Sequence, residues 1–312
     1  MSRALRAFGV ERTPDRPGPG PLPDSLLRAL ELTIARRVQG LLAGDHRSAL
    51  LGRGSELAQV RPYVPGDDVR LIDWNVTART GETHVRVQLA ERVLVTWVVL
   101  DSSPSMSFGT ADRRKADVAL GVALALGHAA SARGNRVGLV TFGGASDATV
   151  PPRQGRAGLV GLMLPLRAGG GAAGNGAPAA ATLGPALRRV ATLARQRALV
   201  AVVSDFRGPR DWRRPLLDLA GKHEVLAVEI RDPREQELPN VGELWLVDPE
   251  TGRQLRVDTR SERLRRRFAA AAADERRSLA RTLTSAGVAH VELSTHGDWL
   301  RTLATFLRQR RR

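Results

Sequence analysis

Apolar residues fall along this chain in short, nearly unbroken runs separated by segments of helical period. Residues 93–100 read VLVTWVVL, apolar at every position except Thr96. Their length and β-branched content predict a strand buried on both faces. Runs at 136–142, 198–204 (ALVAVVS), 224–230 (EVLAVEI) and 288–293 predict four more strands. Helical patterns occupy 113–133, 156–166, 183–195, 211–221, 260–286 and 297–310. Strands alternating with helices imply right-handed crossovers, and so a doubly wound, mostly parallel α/β sheet. Residues 148–150 predict a short edge strand ended by Pro151-Pro152, and 243–247 with 254–257 predict a hairpin closed by the turn DPETGR.

The N-terminal third is less regular. Residues 1–24 are rich in Pro and Gly from Pro14 to Pro23 and predict a flexible lead-in. Leu26, Leu27, Leu30, Ile34, Val38, Leu41 and Leu42 form one helical stripe, with Asp24 or Ser25 placed to cap it. Residues 52–92 alternate strand-like pieces with turns such as Pro65-Gly66-Asp67-Asp68. The expected organisation is a lead-in over 1–24, a helix and small β-rich module over 25–92, and an α/β domain over 93–312.

Composition narrows the chemistry. The chain has 312 residues and no Cys, which excludes disulfides, thiolate zinc sites, iron–sulfur clusters and a catalytic thiol. The longest apolar runs fall short of the roughly 20 residues that cross a bilayer, and the N-terminus lacks an apolar core of signal-peptide length. A cytoplasmic protein is expected, with peripheral membrane attachment as an option. Net charge is +16, and only Lys115 and Lys222 among the 48 basic residues are Lys. Residues 251–312 carry a net +9, densest at Arg308, Arg310, Arg311 and Arg312. This basic stretch is either a contact for nucleic acid, an anionic surface or an acidic partner, or a solvated helix face. Tyr63 is the only Tyr and the tail holds no aromatic residue, which argues against nucleic-acid binding through stacked bases.

Candidate chemistry lies at strand ends. In open α/β sheets, ligands bind beyond the carboxyl ends of the strands near the point where strand order reverses. The first buried strand runs into Asp101-Ser102-Ser103-Pro104-Ser105. Alternate residues of an extended segment share a side, so Asp101, Ser103 and Ser105 are predicted to converge. One carboxylate and two hydroxyls are hard oxygen donors that suit Mg²⁺, with Mn²⁺ or Ca²⁺ as alternatives. The ALVAVVS strand ends in the same way at Asp205, and Thr182, between a glycine-rich loop and the following helix, offers a further oxygen.

These residues resemble a known arrangement. D-S-S-P-S after a buried strand, with a Thr loop and a strand-end Asp downstream, is similar to the metal-ion-dependent adhesion site of von Willebrand factor A (vWA) domains, written D-x-S-x-S…T…D. Upstream, Tyr63, Gly66, Asp67, Asp68, Arg70, Ile72, Asp73 and Trp74 match the Y-x-x-G-D-D-x-R-x-I-D-W block of the bacterial domain-of-unknown-function family fifty-eight, where it precedes an A-type domain. The DPETGR turn is also similar to that family. The resemblance implies a vWA/Rossmann-like fold and a non-catalytic adaptor, often paired with a MoxR-type AAA+ ATPase. It further implies Asp101, Ser103 and Ser105 as metal ligands, Thr182 and Asp205 contributing directly or through water, and one open position completed by a partner's carboxylate.

Enzymatic alternatives fare worse. No G-x-x-x-x-G-K-[ST], no strand-to-helix G-x-G-x-x-G and no G-x-S-x-G is present. A haloacid-dehalogenase-type phosphatase needs a second Asp two residues after the first, where this chain has Ser103. A metal-assisted phosphohydrolase and an Arg-rich nucleic-acid or anionic-surface binder are the competing readings. Asp67, Asp68 and Asp73 form either a second acidic site or a set of turn residues paired with Arg61, Arg70 or Arg79. Trp74 and Trp97 are expected in the core, and the six scattered His residues are expected to be structural or exposed.

Overall fold

A computed structural model describes residues 51–89, 94–132, 134–144, 147–155, 157–158, 160–162 and 182–309. The predicted lead-in and stripe helix of 1–42, the glycine-rich loop before Thr182 and Arg310–Arg312 lie outside the described residues, as does part of the 156–166 helix. The chain divides into two compact units, with residues 43–93 forming the smaller one.

In the smaller unit, β1 (Leu51–Pro62) pairs antiparallel with β2 (His84–Leu89). Between them lies the short helix α1 (Trp74–Thr80). Asp73 caps that helix by accepting the Asn75 and Val76 N–H groups at 3.1 and 3.2 Å, and its second oxygen accepts from Arg86 Nε at 2.9 Å. Arg61 grips Asp67 with two parallel hydrogen bonds of 2.8 Å each. Asp68 caps a 3-10 turn through the Arg70 N–H. The acidic residues of the signature block are therefore caps and ion-pair partners, with Arg86 in the place expected for Arg70 or Arg79. Trp74 departs from expectation: at the first position of α1 its side chain is 69% exposed.

The larger unit is built on a six-stranded sheet. Its strands are β3 (Val95–Asp101), β4 (Arg136–Phe142), β5 (Thr149–Gln154), β6 (Ala198–Ser204), β7 (Glu224–Arg231) and β10 (Ala289–Ser294), in the order β10-β7-β6-β3-β4-β5. All neighbours are parallel except β4 and β5. β3 has β4 on one side and β6 on the other, so chain progression reverses at its carboxyl end. This is the switch point at which doubly wound sheets bind ligands.

Alternation along β3 supplies two cores. Val98 and Leu100 join the layer packed by α2 (Lys115–Ser131) and α6 (Trp299–Gln309). Trp97 and Val99 join the layer packed by α3 (Leu183–Leu193), α4 (Arg213–Ala220) and α5 (Glu262–Ser285). With helices on both faces, the strands need apolar residues at every position, which accounts for the unbroken runs. Gly138 leaves room on β4 for the Trp97 ring, because a Cβ there would come within 2.9 Å of the indole.

β5 runs through Pro151 and Pro152 instead of ending before them. Among the described residues it is an edge strand paired with β4 alone, and the ladder shifts register between Val137 and Leu139. An edge strand tolerates prolines because one row of its N–H groups has no ladder partner to lose. β8 (Glu243–Val247) and β9 (Gln254–Asp258) form the predicted antiparallel hairpin. No helix among the described residues is long and apolar enough to cross a membrane.

Candidate metal centre

β3 and β6 end side by side and deliver their last residues to one place. Asp101 is 6% exposed and Asp205 5%. Asp101 Oδ1 accepts the Ser103 N–H at 2.9 Å, closing a tight turn that folds the D-S-S-P-S loop back over the strand end. Asp101 Oδ2 accepts a short hydrogen bond from the Ser204 hydroxyl, which in turn accepts the Phe206 N–H at 2.9 Å. The Ser103 and Ser105 hydroxyls lie 3.0 Å apart. Asp101, Ser103 and Ser105 thus come together from alternate positions, Asp205 meets Asp101 and Ser105 from the neighbouring strand end, and Ser204 joins them.

Thr182 is placed differently. It precedes α3, and its hydroxyl donates to Asp211 Oδ2 at 2.6 Å.

Electrostatics distinguish the two carboxylates. Burial, then the nearby charge of Asp205, push the Asp101 carboxyl up to about 6 against its hydrogen bonds from Ser103 and Ser204. Burial acts on Asp205 too, but the Lys115 ammonium outweighs it and holds that carboxyl below its ordinary range, helped by the Arg207 N–H and the Ser105 hydroxyl. Lys115 Nζ is fully buried and donates to Asp205 Oδ2 at 2.6 Å and to Glu235 Oε1 at 2.7 Å. Glu235 Oε2 accepts the Asp232 N–H at 3.1 Å, and Asp232 is itself saturated by Thr110, Thr295 and the Arg234 N–H. The floor of the site is therefore a fixed ionic network.

Lys115, Ser204 and Glu235 escape the strand-end reading. One signal for Lys115 was available: a lysine opening a helix opposes the helix dipole, in a chain with only one other Lys. Ser204 merely completes an apolar run, and Glu235 meets Lys115 across 120 residues of sequence.

Among the described residues no group of three or more His, Cys, Asp or Glu is arranged to hold a metal ion. A cation here would rest on two carboxylates and two hydroxyls. That set fits a hard divalent ion that keeps several of its waters. Asp101, buried beside a second carboxylate and raised for that reason, is the group such an ion would relieve.

Comparison with known proteins gives a consistent family placement. The model of the family described as "Protein of unknown function DUF58" matches residues 59–278. Uncharacterized protein Rv1480 of Mycobacterium tuberculosis and uncharacterized protein Mb1516 of Mycobacterium bovis are each 43% identical over 292 residues, spanning 92% of this chain and 89% of theirs. Among solved structures, the conserved hypothetical protein BatB from Bacteroides thetaiotaomicron aligns over 69% of this chain and 98% of its own at 12% identity, with a TM-score of 0.44. The SpRpn10 VWA domain aligns over 70% of this chain and 95% of its own at 14% identity, with a TM-score of 0.35. On the extent of the family match and the identity to its mycobacterial relatives, this chain belongs to the DUF58 family.

Proposed function

We propose that this protein is a non-catalytic interaction adaptor that docks an acidic side chain of a partner protein at a divalent-metal site on the rim of its sheet. The observation that carries the reading is the meeting of Asp101, Ser103, Ser105 and Asp205 at the carboxyl ends of two adjacent strands. Mg²⁺, when bound, would supply a hard Lewis-acidic centre there. Ser204 and the Ser103 N–H aim the Asp101 carboxylate, and Lys115 fixes that of Asp205. Lys115 also neutralises one of the two acids, so a divalent ion held here would keep residual positive charge toward an external carboxylate. Thr182, whose hydroxyl is held by Asp211, would reach such an ion through water.

The resemblance of the signature block to its family suggests a MoxR-type AAA+ ATPase, or that ATPase's client, as the partner. Asp101→Ala is expected to abolish Mg²⁺-dependent capture of the ATPase while circular dichroism stays unchanged. Capture of the ATPase by wild type that persists undiminished in the presence of chelator would remove the metal from the mechanism. Capture that ignores Asp101 but collapses with salt would point instead to the arginine-rich surface.

A further inference from the structure

The turn joining β8 to β9 sends a carboxylate back onto the D-S-S-P-S loop. Glu250 Oε1 accepts the Ser105 N–H at 3.0 Å, a contact across 145 residues of sequence. The turn that presents it is tightly built. Asp248 Oδ1 accepts the Glu250 N–H at 3.0 Å, Asp248 Oδ2 accepts the Thr251 hydroxyl at 2.6 Å, and the Gly252 N–H reaches the Asp248 carbonyl at 2.8 Å. Gly252 takes φ +69°, a conformation that a side chain would resist, so the hairpin closes in this one shape. At its base, the buried Thr259 binds the Gly242 carbonyl through both its N–H and its hydroxyl.

From this geometry we infer that Glu250 is an internal stand-in for the partner's acid: it holds the open corner of the metal site until a partner carboxylate displaces it. The inference rests on the metal-site reading above and adds to it a named occupant. A glutamate on a constrained hairpin, bound to the backbone of a residue whose hydroxyl is a candidate ligand, has the chemistry a hard divalent ion accepts. The adaptor is then closed at rest, and its partner must offer a carboxylate that outcompetes Glu250.

The test loads chelator-treated wild type, Glu250→Gln and Glu250→Ala with Mn²⁺ alone. It measures Mn²⁺ affinity and the number of exchanging waters by proton relaxation, then titrates acetate. Glu250 lies in an exposed turn, and circular dichroism checks that each variant is folded. The inference expects both variants to show about one more exchanging water than wild type and roughly tenfold weaker Mn²⁺ binding. It also expects acetate to remove that extra water in the variants only. Glu250→Gln is decisive because its amide oxygen still accepts the Ser105 N–H; if it matches wild type, Glu250 is only a cap for the loop and the inference fails. Identical hydration in all three proteins, each binding Mn²⁺, likewise overturns the inference and leaves the metal site standing. No Mn²⁺ binding by wild type overturns the metal-site reading and this inference with it.

Discussion

Replacing Lys115 by Met removes the only buried ammonium in the floor of the site. Its Nζ is fully enclosed and lies 2.6 and 2.7 Å from the Asp205 and Glu235 oxygens, which are themselves almost fully buried. Removing one partner of a buried ion pair leaves an uncompensated charge, at a cost of about 3–5 kcal/mol. For a unit of this size each kcal/mol lowers the melting temperature by about 2–4 °C, so Lys115→Met should melt about 6–20 °C below wild type. Calorimetry or thermal circular dichroism in chelator reads the difference. Lys115→Met with Asp205→Asn and Glu235→Gln should recover much of the loss, because the orphaned charges are then gone. A loss below about 1 kcal/mol in the single variant, the size of an exposed pair, would refute the view that this network is dry and ionic.

Other outcomes follow from the same geometry. Because Asp101 is raised to about 6 in the folded state, the folded protein holds its proton where the unfolded chain has released it. Metal-free stability should therefore fall as pH rises between about 4 and 6, and Asp101→Asn should flatten that slope in denaturant melts across the range. In the smaller unit the Arg86 hydrogen bond holds Asp73 below its ordinary range. Stability from Asp73 is thus present at neutral pH and lost as pH falls through its lowered value. Asp73→Ala should speed amide exchange across 74–80 at neutral pH, whereas unchanged protection would dismiss the cap. Gly138→Ala pushes a methyl into the Trp97 ring and should cost about 1–3 kcal/mol in chemical denaturation.

The sheet was legible because helices cover both of its faces, so each strand advertises itself as an apolar run, as at 95–101 and 198–204. Pro151 and Pro152 misled because local backbone rules treat proline as a strand terminator, while the edge position that admits it is a property of the whole sheet. Trp74 misled because hydrophobicity predicts burial only on average, and its place at the head of α1 turns it outward. At the site, Asp101 and Asp205 were legible because they stand at strand ends, and Ser103 and Ser105 because they follow at alternate positions. The partners of Lys115, Glu235 and Glu250 were not: these residues reach the site from distant segments, and pairing across 90 residues or more leaves no spacing to read. Thr182 was assigned from its position before a helix, and its bond to Asp211 depends on a residue 29 positions away.

Titrating Mn²⁺ into chelator-treated wild type and Asp101→Ala probes the central claim most directly. The account predicts one saturable Mn²⁺ per wild-type chain, displaced by Mg²⁺, and none on the folded variant at the same concentrations. A wild type that takes up no Mn²⁺, or a variant that takes up as much, would contradict it.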